Sequence, residues 1–234
     1  NEIFIQREHV DLKNRHRMDR DNKGRVVHCQ TGGTPQKYSD TDGESELQKW
    51  LDGYPSQWQF LSLAAQGMGA PVMQNRTGGA TRLQKDGSNI ADYLLSIRGL
   101  DQGAFDGIVE TLQFVLPYAK DLQPALTTEL ERTVYLQLTE AGFKVPGWLL
   151  STGTLRILAL LALFRHPAPP PLIVIEEIEN GLDPRTIHLL IDEIRNLIES
   201  GRSQVILTTH SPYLLDLLDL SHIVMVERVN GQPT

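Results

Sequence analysis

The chain has 234 residues, of which 40% are hydrophobic and 22% are charged, and its formal net charge is −7 at pH 7. This apolar content is enough for a sizeable core, which excludes a globally disordered chain, and the length is typical of one large domain or two small ones. The longest apolar run, residues 157–164, is too short for a membrane span of roughly 18 residues, and a single cysteine, Cys29, favours a reducing, cytoplasmic location.

Residues 1–38 are predicted to form a β-hairpin region. Short β-like stretches at Ile3–Ile5 and Val26–His28 are separated by a polar turn at Asp21–Gly24. The first 37 residues carry eight basic side chains against five acidic ones. Two interpretations of this basic stretch stay open: phosphate contacts with nucleic acid, or the solvated face of a hairpin, which charges alternating in sign favour.

Residues 39–146 are predicted to form a helical insert with many breaks. Helical patterns occur at Glu44–Leu51, Tyr54–Ala65, Ser88–Ile97, Gly103–Leu116 and Thr127–Leu138. The glycine-containing pairs at 78–79 and 86–87 predict loops between these helices.

Residues 147–234 alternate between strand and helix patterns, which is typical of α/β proteins. Strands are expected at Leu172–Ile175, Val205–Thr208 and Ile223–Val226, with helices beginning at Pro184 and Pro212 between them. Because Leu172–Ile175 is apolar throughout, it predicts a strand buried on both faces of a parallel sheet. The expected fold is therefore α/β with a parallel sheet, preceded by the helical insert and the β-hairpin region.

Charged side chains directly follow two of these predicted strands. Glu176 and Glu177 come after the first strand, and His210 lies just after the second. In parallel sheets, ligands bind beyond the carboxyl ends of the strands. Two adjacent carboxylates at such a place are costly unless a cation or a donor meets them, and Mg²⁺ bound to a polyphosphate supplies that partner. We expect Glu176 to help hold Mg²⁺ and Glu177 to orient or deprotonate an attacking water.

A second candidate site lies at the start of an apolar helix that runs through Phe164. Ser151, Gly153 and Thr154 are small residues at its N-terminus, where backbone N–H groups and the helix dipole favour an anion such as a terminal phosphate. A bulky residue at position 153 would block close backbone approach. The alternative is structural, with Ser151 capping a buried helix and Asp183 capping the next one.

Four segments in a fixed order carry a resemblance to a known family. They are Leu150–Arg156, Leu172–Glu177, Gly181–Pro184 and Thr208–Pro212. In that order they resemble the signature, Walker B, D-loop and switch-histidine segments of ABC-type ATPase heads, which are P-loop NTPases. The chain is most similar to the SMC/RecF-like branch of bacterial AAA-family ATPases, and residues 148–227 resemble the C-terminal lobe of such a head.

The resemblance implies a homodimer with ATP and Mg²⁺ sandwiched between two heads. Ser151 and Gly153 would contact the γ-phosphate of ATP bound to the opposite subunit, and Thr154 belongs to the same nucleotide-binding segment. Asp183 would couple the two nucleotide sites across the dimer. Catalysis in this class depends mostly on positioning and charge stabilisation, so the catalytic groups are divided between two chains.

The remaining expected roles belong to the strand ends. Glu177 would be the catalytic glutamate, His210 would contact the γ-phosphate during catalysis, and Glu176 would be the Mg²⁺ ligand. Most ABC heads carry Asp at the Mg²⁺ position, so Glu176 keeps the charge but changes the reach.

The phosphate-binding loop of the family is not found in the sequence. The chain contains neither G-x-x-x-x-G-K-[ST] nor any Gly-Lys dipeptide, and its first residue is Asn1. We expect that the chain is N-terminally incomplete, and that this Walker A loop belongs to a preceding lobe. The chain by itself is expected to be inactive as an ATPase.

Three functional interpretations follow from these motifs. The first is an ATPase coupled to DNA, a nuclease or another partner in repair or phage defence, with the insert from Asp40 to Pro146 receiving that partner. The second is a split or degenerate head that hydrolyses nothing alone and completes another subunit's ATP site. The third is an α/β protein with a carboxylate metal site and no ATPase activity.

Overall fold

The computed structural model describes residues 10–12, 16–20, 26–30, 55–74, 82–127, 133–226, 228–229 and 232–233. The chain divides into two compact units, residues 1–54 and 55–234. In the first unit, β1 (Val10–Leu12), β2 (His16–Arg20) and β3 (Val26–Gln30) form an antiparallel sheet with β2 in the centre. The strand expected at Val26–His28 is confirmed within β3, but its described partner is His16–Arg20 of β2, which was not predicted; the predicted turn at Asp21–Gly24 and the stretch Ile3–Ile5 lie outside the described residues.

The second unit contains helices and two larger sheets. In chain order its elements are β4 (Gln59–Leu61), α1 (Ala65–Met68), β5 (Val72–Met73), α2 (Ile90–Leu100), α3 (Gln102–Val115), β6 (Ala119–Leu126), β7 (Thr133–Glu140), β8 (Phe143–Pro146), α4 (Thr152–Phe164), β9 (Leu172–Ile175), α5 (Pro184–Glu199), β10 (Gln204–Leu207), α6 (Pro212–Leu215), β11 (Arg228–Val229) and β12 (Gln232–Pro233). Short 3₁₀ turns occur at Pro55–Gln57, Gly147–Leu149 and Leu220–His222.

The parallel sheet has the order β10-β9-β4, so β9 lies in the centre. Ile173 is aligned with Val205 on one side and with Gln59 on the other. Ile173 and Ile175 are fully buried, whereas Leu172 and Val174 on the opposite face are half-buried, so the predicted burial on both faces is complete on one face only. The α/β class with a parallel sheet is confirmed, and the carboxyl ends of all three strands meet at one edge.

The other large sheet is antiparallel and was not predicted. It has the order β5-β7-β6, and β8 pairs with β7. The helix expected at Thr127–Leu138 is wrong, because β7 buries every second side chain: Val134, Leu136 and Leu138 lie in the core while their neighbours are half-buried. That period of two is the pattern of a strand.

Two further predictions of local structure are wrong. The helix expected at Tyr54–Ala65 is replaced by β4, because pairing with β9 recruits Gln59–Leu61 into the parallel sheet. The strand expected at Ile223–Val226 is not formed, since no described strand pairs with it, and its last three side chains are 74–85% exposed. Strand propensity alone does not make a strand without a neighbour. The boundaries of the predicted insert, at residues 39 and 146, stay a prediction.

Helix α4 forms the centre of the core. Every residue from Thr154 to Phe164 is buried, and the helix contacts α1, α2, α3 and α5. Its C-terminal end is tied to α5 by Arg165, which donates to both carboxylate oxygens of Glu193 at 2.8 and 2.6 Å. Within the described ranges, no helix is long and apolar enough to cross a membrane.

His166, directly after α4, makes folding stability depend on pH. The residue is 5% exposed, its ring stacks on Tyr93 at 5.3 Å between centroids, and its Nδ1 lies 2.8 Å from the Ala168 carbonyl oxygen and 3.0 Å from the Ala168 nitrogen. Its Nε2 is buried with no hydrogen-bond partner among the described residues. Burial lowers the pKa of His166 below its ordinary value of 6.5, and the hydrogen bond with Ala168 opposes that shift only in part. Between the lowered pKa and 6.5, the unfolded chain therefore binds a proton that the folded chain does not.

We therefore expect the free energy of unfolding to fall as the pH is lowered below about 6.5, by at most about 1.4 kcal/mol per pH unit from this group. His166→Asn retains an acceptor for the Ala168 N–H but cannot titrate, so the fall should be shallower. Urea unfolding between pH 7.5 and pH 5 measures both slopes. Identical slopes in the two proteins would contradict the assignment.

Candidate functional site

The candidate site lies at the edge where the three parallel strands end. The ladder continues briefly past β9, because the Glu176 N–H donates to the Leu61 carbonyl at 2.9 Å and the Thr208 N–H donates to the Ile175 carbonyl at 3.0 Å. The residues that follow β4, β9 and β10 are thereby brought together. This geometry agrees with the expectation that chemistry should be sought at these strand ends.

Glu177 has an unusual backbone at this edge. Its φ is 46°, in the left-handed region that costs a non-glycine residue roughly 1–3 kcal/mol unless its surroundings enforce it. Three contacts enforce it: the Glu177 N–H donates to Thr208 Oγ1 at 3.1 Å, and its carbonyl accepts from Arg156 Nη2 at 3.0 Å and from the Asn180 N–H at 3.1 Å. The peptide of Glu177 is therefore fixed in place.

The side chains of the two glutamates are free to meet a ligand. Both Glu176 and Glu177 are exposed, and the Glu177 carboxylate accepts a hydrogen bond from the Asn180 side-chain amide. The Glu177 carboxylate thus extends from a fixed backbone into solvent, where a bound ligand or a water can reach it.

Glu179 links the loop after β9 to the loop after β10. Its Oε1 accepts the His210 backbone N–H at 2.8 Å. Burial raises the pKa of the Glu179 carboxyl, but hydrogen bonds to the carboxylate outweigh this effect, and the net pKa is lowered. Ionised Glu179 thus fixes the turn that carries His210, whose residue is exposed at the same edge.

Asp183 has a clear structural role as the N-cap of α5. Its Oδ1 accepts the N–H groups of Arg185 and Thr186 at 3.0 and 3.2 Å, and its Oδ2 accepts the Thr186 hydroxyl at 2.6 Å. These bonds, that of the Thr186 hydroxyl foremost, lower the pKa of Asp183. The capping interpretation of Asp183 is confirmed, while its role at a dimer interface stays a prediction.

The first turn of α4 packs directly on the loop after β9. Ser151 caps the helix, with its Oγ accepting the Thr154 N–H at 3.1 Å and lying 2.8 Å from the Thr154 hydroxyl. Ser151 is exposed, whereas Thr154 is 3% exposed. A Cβ on Gly153 would lie 2.8 Å from the Gly181 carbonyl oxygen, closer than real contacts allow. Gly153 therefore permits close approach to protein backbone, in addition to any ligand.

The described residues fit Mg²⁺ only together with a phosphate ligand. No group of three or more His, Cys, Asp or Glu side chains in the described ranges could hold a metal ion. Mg²⁺ usually takes one or two carboxylates together with substrate phosphates and water. Glu176 and Glu177, both exposed carboxylates at the strand edge, match that donor chemistry.

Several contributors to the site were missed by the sequence reasoning. Thr208 and Asn180 contact Glu177, and Glu179 holds the His210 turn, yet each is an ordinary polar residue near a strand end. Arg156 donates to two backbone carbonyls, a contact that its place in the sequence does not indicate. The positive φ of Glu177 leaves no signal in its residue type.

Comparisons with known proteins identify the family and the fold of the chain. The profile of the protein family described as "AAA domain, putative AbiEii toxin, Type IV TA system" matches residues 44–216. No curated protein matches the chain in sequence.

Three solved structures are similar to this chain, and the first of them shows the same fold. An Smc head bound to the C-terminal winged-helix domain of ScpA is 16% identical, with a TM-score of 0.53, 93% of this chain covered and 65% of that chain. An Smc head domain with a coiled coil and joint from Pyrococcus yayanosii is 20% identical, covering 59% of this chain and 27% of that chain at a TM-score of 0.47. The SMC head domain from Thermotoga maritima is 17% identical, with 93% of this chain and 66% of that chain covered at a TM-score of 0.42.

The chain thus spans 65% of the length of the Smc head bound to ScpA. The family profile covers well over half of the sequence, and the parallel sheet with its central helix agrees with the Smc head fold. The chain belongs to this AAA-domain family, and its α/β fold is similar to that of the Smc head bound to ScpA.

Proposed function

We propose that the full-length protein binds and hydrolyses ATP with Mg²⁺, and that the nucleotide is sandwiched in a head-to-head homodimer. The observation that carries this proposal is the pair of exposed carboxylates at the strand edge, of which Glu177 is held in a fixed, left-handed backbone conformation. Family membership supports nucleotide binding in general. The specific reaction and the dimer rest on the motifs and on this geometry.

Three residues at the strand edge have different roles in the proposed reaction. Glu177 accepts the proton of the attacking water, and its fixed peptide sets where the carboxylate can reach. Glu176 holds the metal, which when bound neutralises phosphate charge. His210, on a turn fixed by Glu179, contacts the terminal phosphate. Positioning and electrostatic stabilisation supply most of the catalysis in phosphoryl transfer.

In this proposal, the N-terminus of α4 contacts the nucleotide that is bound to the opposite subunit. Ser151 and Gly153 present the N-terminal turn of the helix to the γ-phosphate, and Thr154 supports that turn from inside through its contact with Ser151. Asp183 lies beyond Gly181 in the loop that α4 contacts, which suits a role in coupling the two sites.

The test is ATP binding, hydrolysis and dimerisation of the full-length protein. We expect Mg²⁺-dependent phosphate release, and a shift from monomer to dimer in light scattering with ATP but not with ADP, best seen in a slowly hydrolysing variant. A full-length protein that binds no nucleotide would overturn the proposal. It would favour an α/β protein with a carboxylate metal site instead.

A second candidate is a split head that completes the ATP site of another polypeptide. It is favoured by the lack of a Gly-Lys dipeptide and by the outer edge of β10, which pairs with no described strand other than β9. Ile206 on β10 is 54% exposed despite its apolar side chain. If ATPase activity arises only when a partner with a phosphate-binding loop is added, this second function is correct.

We further propose that the ATP cycle acts on DNA or on a partner protein such as a nuclease, in repair or phage defence, in the cytoplasm. Residues 39–146 are proposed to bind the DNA or the partner protein. DNA-stimulated ATP hydrolysis, lost when this region is altered, would support the assignment.

A further inference from the structure

Arg156 occupies a buried position between the central helix and the candidate site. It lies in the second turn of α4 and is 7% exposed. Its Nη1 donates to the Leu63 carbonyl at 2.8 Å, and its Nη2 donates to the Glu177 carbonyl at 3.0 Å. Its Nε has no hydrogen-bond partner among the described residues. The guanidinium is therefore satisfied mainly by backbone carbonyls of two different segments.

Burying a guanidinium that donates only to backbone carbonyls costs folding free energy, and a purely structural contact does not require that cost. Burial lowers the pKa of Arg156, although the negative charges of Glu177 and Glu179 oppose that shift. A buried charge without a bonded carboxylate is commonly destabilising relative to an apolar side chain of similar size. The planar fork of arginine, however, can satisfy two separated acceptors at once.

The two carbonyls belong to the segments that form the strand edge. Leu63 follows β4, and Glu177 follows β9 and has the left-handed backbone. Close to them, the Gly153 backbone in the first turn of α4 approaches the Gly181 carbonyl. Arg156 thus joins α4 to the peptide of Glu177 at a place where the two backbones are already in contact.

We propose that Arg156 is a positioning residue for Glu177. It fixes the carbonyl of residue 177, and thereby the left-handed conformation that aims the carboxylate. The α4 N-terminus would contact the nucleotide bound to the opposite subunit. When that contact displaces the helix, Arg156 transmits the displacement to Glu177, the general base for the nucleotide of its own subunit. This inference rests on the proposed ATPase function.

The first test needs no activity and uses hydrogen exchange of the nucleotide-free, full-length protein. Arg156→Lys keeps the charge but has a single nitrogen donor, whereas arginine uses Nη1 for the Leu63 carbonyl and Nη2 for the Glu177 carbonyl. Arg156→Met keeps the apolar bulk and removes the charge. Both should raise amide exchange in residues 176–182 by about tenfold, the effect of losing one hydrogen bond to a charged group. Arg165→Lys, at the far end of the same helix, is the control and should leave that segment unchanged. Exchange in 176–182 that stays at the wild-type rate in both variants would overturn the inference.

The second test separates positioning from overall stability. Among variants with unaltered ATP binding, Arg156→Lys should lower kcat by about 10- to 100-fold with little change in KM, the usual effect of a small misplacement of a catalytic group. In a Glu177→Gln background the same change should have no further effect on kcat. An additive effect, or an unchanged kcat in Arg156→Lys, would overturn the role. If Glu177→Gln itself leaves turnover unchanged, the proposed ATPase mechanism fails together with it.

Discussion

Glu177→Gln in the full-length protein is expected to lower ATP turnover by roughly 10² to 10⁴-fold, the usual contribution of a general base. Glutamine has nearly the same shape and can still accept the Asn180 amide through its side-chain oxygen, so the loop should keep its conformation. What it loses is the ability to take a proton from water. Steady-state phosphate release at saturating ATP measures the effect.

The same variant should still bind ATP. Because hydrolysis is slow, the ATP-bound dimer should accumulate and become visible in light scattering. Glu199→Gln is a suitable control, since Glu199 is an exposed carboxylate at the end of α5 and should leave turnover unchanged. Wild-type turnover in Glu177→Gln would remove Glu177 from the mechanism.

Ser151→Asp is expected to abolish ATP-dependent dimerisation while leaving the fold intact. Aspartate caps a helix N-terminus about as well as serine, and its charge is favourable at that end of the helix dipole. The same carboxylate would face the γ-phosphate of the opposite subunit's nucleotide. Repulsion between two such charges is on the order of 1–4 kcal/mol at each site, and because the dimer has two sites it is weakened by roughly 30-fold or more.

Ser151→Asn is the matched control, because it keeps the cap and the approximate size of aspartate without the charge. Light scattering with ATP compares dimerisation, and urea unfolding checks the fold. If Ser151→Asp dimerises like Ser151→Asn, position 151 does not face a phosphate.

Mixing Ser151→Asp with Glu177→Gln tests whether the two residues serve different nucleotides. In a head-to-head dimer, each mixed pair has one site with both residues intact. If the two variants paired at random in equal amounts, activity would return to at most about one quarter of the wild-type level, and less where the one remaining Ser151→Asp site weakens the mixed dimer. Co-purification through a tag on the Ser151→Asp chain checks that mixed dimers form. No recovery in a mixture that contains them would place Ser151 and Glu177 at the same subunit's nucleotide.

The sequence was informative where a local pattern determines the structure. Leu172–Ile175 is apolar throughout and has few alternatives to a buried strand, and Asp183-Pro184 specifies the start of a helix through capping and a preset φ. These two features were enough to locate the strand edge, and with it Glu176, Glu177 and His210. The roles of these residues in catalysis stay predictions.

The sequence was misleading where tertiary pairing decides the outcome. β4 is only three residues long and exists because β9 lies beside it, and β7 contains leucine and glutamine at positions that also suit a helix. The contacts of Arg156 could not be foreseen for the same reason. They depend on where the Leu63 and Glu177 carbonyls point, which is a property of the assembled fold.

Because Glu177 has a left-handed backbone, folding stability and the proposed catalysis favour different residues at position 177. Glycine would adopt this conformation without the cost that glutamate bears, so, if Glu177 is the general base as proposed, stability favours glycine there and catalysis favours glutamate. Drift toward greater stability would be expected to remove the carboxylate first. A relative with glycine at this position would therefore be expected to keep the fold of the head and to lack the proposed ATP hydrolysis.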